Sequence, residues 1–337
     1  MGNMNVKTTS RAAGLIVSLV TLLSLGAVPY ANGSTPSNPT LAQLQADIAT
    51  SASINKAPPA NSVVPVMSTM LMTNAFLTVP NMTSECYGYS RAVTMTNAND
   101  CVWGQISATK SIFVFGDYNA AMWLPTLNIL GQQLGYKIYF LAAHGCGPWA
   151  SVPNLFGTSG LKSTPLCNTF VNDAIGLANA LHPAVVLPIG LEVGSKPTNS
   201  ATVAGVQAST VQTVHALAPS GAKVLILQPF PWSSGSYPRN CLALRPTAIT
   251  SCEMSPVGAA SFTQWSAALG VTQAATALNV PMVPTEKLFC TATLCPILVL
   301  DSGVYHDVYL NNRHMINTYA QWISTAFIQL IKPYLPA

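Results

Sequence analysis

The chain has 337 residues, of which half are hydrophobic and only 7% are charged, against about 25% charged in an average soluble protein. Such a chain is long enough for one large domain or two small ones, and its surface must rest on Ser, Thr, Asn, Gln and Gly. The net charge of +4 is spread over few residues and no Lys/Arg cluster follows a run of phosphates, so nucleic acid is excluded as an expected partner.

Lys7 and Arg11 precede a 17-residue apolar stretch, AAGLIVSLVTLLSLGAV, and small Ala31 follows in VPYANGS. This pattern predicts an export signal over residues 1–31, with a retained N-terminal membrane anchor as the alternative. Both put the remainder outside the cytoplasm, secreted or in the cell envelope. Residues 32–40, NGSTPSNPT, read as a polar linker. Residues 41–54 read as one amphipathic helix, and the three prolines of NKAPPANSVVP then forbid its continuation.

From residue 111 a rhythm sets in. Apolar runs rich in β-branched and aromatic residues occupy 111–117, 137–143, 184–190, 223–230 and 279–286. Helical stretches are expected near 119–134, 168–181, 200–218, 257–277 and 315–333. Continuous apolar strands alternating with helices predict a parallel sheet covered on both faces, a three-layer α/β fold. The organisation is therefore read as 1–31 signal or anchor, 32–110 helix, proline segment and Cys-linked lead-in, and 111–337 α/β domain.

Eight cysteines fall into four local pairs, and in an exported chain an even set reads as disulfides. The expected pairs are Cys86–Cys101, Cys146–Cys167, Cys241–Cys252 and Cys290–Cys295, although spacing alone does not fix connectivity. There is no Cys-x-x-Cys and no matching histidine spacing, so neither zinc nor another metal is expected.

Three segments bring polar residues to strand ends, where parallel sheets bind ligands. In GDYNAAMW, Gly116 permits a close turn, and a helix starting near Asn119 directs free N–H groups outward. A nucleophile would stand at position 118, yet the residue is Tyr118. In LAAHGCGPW, Gly145 and Gly147 flank Cys146, and a glycine N–H here could serve an oxyanion, while His144 reads as a loop residue. In DVYLNNRHMINTYAQWI, Asp307, Asn311 and His314 lead into a helix; His314 suits a general base with Asn311 three residues before it.

Taken in order these blocks resemble the SGNH (GDSL-like) hydrolase family. They are similar in particular to the SGNH domain fused to, or encoded beside, membrane acyltransferases that O-acetylate cell-surface polysaccharides. GDYNAAMWLP, HGCGPW, LCP (294–296) and YLNNRHMINTYA carry the likeness. The resemblance implies the SGNH fold, with a parallel, flavodoxin-like sheet of roughly five strands, and no cofactor. It implies chemistry on acyl esters of cell-envelope glycans, with a membrane acyltransferase as a partner.

The same likeness assigns Tyr118 to the nucleophile position, His314 to the base and Asn311 to the place of its supporting Asp, with Asp307 as an alternative carboxylate. Asp117, Asn119, Gly145, Gly147 and Gly190 fall at oxyanion or substrate positions; Gly190 and Glu192 are nearest to the polar position of a further block. Two of three triad members differ, which implies an impaired or lost serine hydrolase, a pseudoenzyme. The alternative is a carbohydrate-binding or envelope-interaction protein without catalysis.

Overall fold

The computed structural model describes residues 37–59, 62–64, 86–88, 100–143, 146–149, 164–190, 200–231, 238–254, 256, 266–310 and 314–336. The expected export signal or anchor, the linker up to residue 36, His144, Gly145, Glu192 and Asn311 lie outside them. Among the described residues no helix is long and apolar enough to cross a membrane.

In chain order the elements are α1 (Leu41–Ser51), β1 (Val63–Val64), β2 (Tyr87–Gly88), β3 (Val102–Gly104), β4 (Ser111–Gly116), α2 (Tyr118–Leu134) and β5 (Lys137–Ala143). There follow α3 (Thr164–Leu181), β6 (Val185–Ile189), α4 (Ser200–Leu217), β7 (Lys223–Val224), β8 (Ile226–Leu227), α5 (Pro238–Leu244) and α6 (Ser266–Ala277). The chain closes with β9 (Met282–Val283), β10 (Leu298–Asp301), β11 (Val304–Asp307), α7 (Asn317–Trp322) and α8 (Ser324–Ile331).

β4 is buried along its whole length, as a strand covered on both faces must be. It pairs in parallel with β5 on one side and β6 on the other, and β6 pairs in parallel with β7. The run expected over 223–230 is interrupted at Leu225, yet the N–H of Leu225 still donates to Val186 O at 3.0 Å. β8 therefore continues the line and pairs in parallel with β9. The order β5-β4-β6-β8-β9 is the 2-1-3-4-5 arrangement of a flavodoxin-like sheet. β2 and β3 extend it beyond β5, β3 antiparallel.

Helices cover both faces. α1, α2, α7 and α8 pack together on one, and α3, α4 and α6 on the other. Trp123, Phe113, Phe115, Phe140, Phe289 and Phe327 are fully buried between the layers, and each such side chain contributes about 1.5–3 kcal/mol of hydrophobic stabilisation.

The helix expected over 315–333 is two helices with a break at Ile323, ended by a 3-10 turn over Lys332–Tyr334 in which Pro333 offers no N–H of its own. A second small sheet, absent from the sequence reading, joins β1, β11 and β10. The four expected cysteine pairs are the four disulfides, and no cysteine is free.

Candidate active site

The turn out of β4 is dictated by contact. A Cβ on Gly116 would lie 1.7 Å from the Ile189 carbonyl oxygen, so only glycine lets the ends of β4 and β6 approach so closely. Asp117 follows as the N-cap of α2. Its Oδ1 accepts from the Asn119 backbone N–H at 2.8 Å and from Asn119 Nδ2 at 3.0 Å. The Asp117 carboxylate is fully buried, so its role is to fix the helix start.

Tyr118, the first residue of α2, is half-buried. Its ring centroid lies 5.2 Å from that of His314 and 5.5 Å from that of Tyr87 in β2. These separations and the tilted ring planes fall in the favourable range for aromatic pairs. Tyr118 and His314, about two hundred residues apart in sequence, thus meet at the carboxyl edge of the sheet.

His314 is held from behind. Its carbonyl accepts from Leu310 N–H at 2.8 Å, Ile316 N–H donates to Val308 O at 3.0 Å, and Tyr309 and Met315 form an antiparallel bridge. Met315 N–H reaches Met122 Sδ of α2 at 3.5 Å. One helix therefore carries Tyr118 and also anchors the segment that delivers His314. Asp307 ends β11, is buried, and accepts from Tyr309 N–H at 3.2 Å. The Tyr309 phenol is pushed up by burial first, then by the Asp307 and Glu253 carboxylates, so it stays neutral.

The second block closes the site from the other side. The Cys146–Cys167 disulfide ties the turn to α3, and Cys146 N–H donates to Ala143 O at 3.1 Å. Trp149 Nε1 donates to Gly190 O at 3.3 Å, and Thr213 Oγ1 to Pro148 O at 3.3 Å. A Cβ on Gly190 would lie 2.7 Å from Pro148 Cδ and 2.9 Å from Asp117 Cγ. Pro148, Asp117 and Gly190 are thereby drawn together, as Asn119 is by its bonds to Asp117, and Gly147 precedes Pro148 in the chain.

A cavity of about 20 Å³ opens beside this cluster, lined among others by Asn119, Met122, Trp149, Gly190 and Gln228. That is space for roughly one water-sized group. Among the described residues no group of His, Cys, Asp and Glu could hold a metal ion.

Tyr87, Trp149 and Gln228 belong to this edge and were not read from the sequence. Tyr87 follows Cys86 of the first disulfide, a marker that only its pairing partner could have turned into a position. Gln228 is the polar residue inside the fourth run, directly after β8, where a polar residue stands at the carboxyl edge.

The comparisons agree with this architecture. The sequence profile described as "SGNH domain (fused to AT3 domains)" matches residues 85–329. The solved periplasmic domain of a lipopolysaccharide acetyltransferase from Salmonella ser. Paratyphi A superposes with a TM-score of 0.55 at 14% identity, covering 82% of this chain and 99% of that one. A lipase/acylhydrolase from Enterococcus faecalis matches at 12% identity and a TM-score of 0.38, over 68% of this chain and 98% of that one. No curated protein sequence matches. With the profile spanning the sheet and all three edge segments, the chain belongs to the SGNH domain family, of the kind fused to AT3 acyltransferase domains.

Proposed function

We propose that this chain is an exported SGNH domain that engages acyl esters of a cell-envelope glycan and has lost serine-esterase turnover. The single observation behind this reading is the ring of Tyr118, packed against His314 and Tyr87 at the position where the family carries its serine. A phenol has a pKa of about 10, and its ring fills the volume a carbonyl carbon would need. Asn311 adds a second defect, because an amide can orient the imidazole but cannot offset its positive charge. Export rests on the N-terminal sequence together with four disulfides, which persist in oxidising compartments. A membrane acyltransferase is the partner that the family's domain fusions favour.

A restoration series tests the reading. Losing a triad serine costs on the order of 10⁶-fold, and exchanging the triad Asp for Asn about 10⁴-fold. Tyr118→Ser alone should therefore restore little p-nitrophenyl acetate hydrolysis, and Tyr118→Ser with Asn311→Asp clearly more. A double variant no faster than buffer, although folded, would show that the missing groups are not the cause.

A further inference from the structure

A groove of about 560 Å³ lies along the same edge of the sheet as Tyr118, next to the site described above. Its floor is Gln228, which follows β8, and Pro284, which follows β9. Its walls are the exposed face of α1, with Gln45 and Ala49, and the segment Glu286–Ala292. β8 and β9 stand two and three strands from β4, so the groove begins on the order of 10–15 Å from Tyr118 along the edge. Gln228 lines both this groove and the small cavity beside Asn119 and Gly190, so the two spaces share one wall.

The lining selects the chemistry. Gln45, Gln228 and Thr291 offer amide and hydroxyl groups, which both donate and accept. Gln228 Nε2 donates to Glu286 Oε2 at 2.8 Å, so the one acid among the described lining residues is held by an amide, and Lys287 is the one cation among them. A single ammonium beside a carboxylate gives no field for a polyanion. Among the described residues the rest of the lining is alanine, proline and Cys290, with no aromatic or branched aliphatic side chain to seat an acyl tail or an amphipathic helix. The size lies within the range of ligand sites.

Resting on the reading under Proposed function, we propose that this groove is the subsite for the uncharged, polyhydroxylated chain of the glycan whose ester-bearing unit faces Tyr118 and His314. Gln228 is its hinge point, reaching the ester end from one side and the sugar chain from the other.

The test is binding of the full chain to a microarray of neutral, anionic and cationic oligosaccharides of increasing length, each in acetylated and saponified form. Ala49 and Ala292 are exposed, so Ala49→Trp and Ala292→Trp fill the groove without touching the core; Ala46→Trp, exposed on α1 but outside the lining, is the control. The proposal expects neutral oligosaccharides to bind more tightly with length, and each groove variant to weaken them about tenfold or more at unchanged melting temperature, with Ala46→Trp unaffected. It is overturned if no neutral oligosaccharide binds, if anionic ones are preferred, or if both groove variants keep full affinity. The two readings fail separately. Equal binding of acetylated and saponified forms removes the ester reading while groove dependence stands. Preference for the acetylated form that survives both groove variants at full affinity removes the groove.

Discussion

His306 stacks face to face on Trp322 at 3.8 Å, is 5% exposed, and its Nε2 has no hydrogen-bond partner. Burial lowers its pKa from 6.5 to about 4, against an opposing pull from the Asp301 carboxylate. The folded state thus binds this proton less readily than the unfolded one. The contribution to stability is complete above about pH 6.5 and is lost as pH falls through 4, a span worth roughly 3 kcal/mol. Glu253 runs the other way. Burial pushes its carboxyl up from 4.5 to about 7, so its contribution is present below 4.5 and lost as pH rises through 7. Urea unfolding across pH should show His306→Phe keeping the ring stack while flattening the acid limb between pH 6.5 and 4. An acid limb as steep as in the parent would show that another group sets it. His306 could not be singled out in the sequence, because VYHD carries no sign that its partner is a tryptophan sixteen residues on.

At the scale of elements, the long apolar strands and their helices were legible because period and length agree for buried parallel strands. The short ones were not. β1, β2, β7, β8 and β9 are two residues each, too brief for any pattern. The β10–β11 hairpin did leave a signal: Asp301-Ser302-Gly303 between apolar runs, with Ser302 and Gly303 both at positive φ, is the composition of a tight primed turn. The blocks at residues 116–119 and 307–314 were visible as strand-end segments, but the rings that meet there were visible only through the family pattern. The turn over Gly147–Trp149 depends on a covalent tie. Replacing Cys146 and Cys167 together by Ser opens a loop of 21 residues, which should cost about 3 kcal/mol in denaturant unfolding. Trp149 should become more exposed in its fluorescence as its bond to Gly190 loosens. Unchanged stability and emission would mean that the Thr213 and Trp149 hydrogen bonds alone hold the turn.

The described residues from 37 onward form a five-strand parallel core covered on both faces, with the polar segments gathered at its carboxyl edge. Tyr118 and His314 stand at one end of that edge, Gly190 packs against the neighbouring Asp117, and the Gln228 groove lies farther along it. With 7% charged residues, such a surface suits neutral ligands better than ionic ones. Composition and rhythm carried the fold class, and the cysteine spacing carried the staples. On the proposed assignment the chemistry was legible only as a departure, with Tyr118 and Asn311 in place of the Ser and Asp of the family's pattern. Turnover of p-nitrophenyl acetate by the unmodified chain, with Tyr118→Phe beside it, tests the central claim most directly. Turnover at the buffer rate, unchanged by Tyr118→Phe, is the predicted result; turnover in the ordinary enzymatic range of about 1–10³ s⁻¹ that Tyr118→Phe abolishes would contradict it and make the Tyr118 hydroxyl a catalytic group.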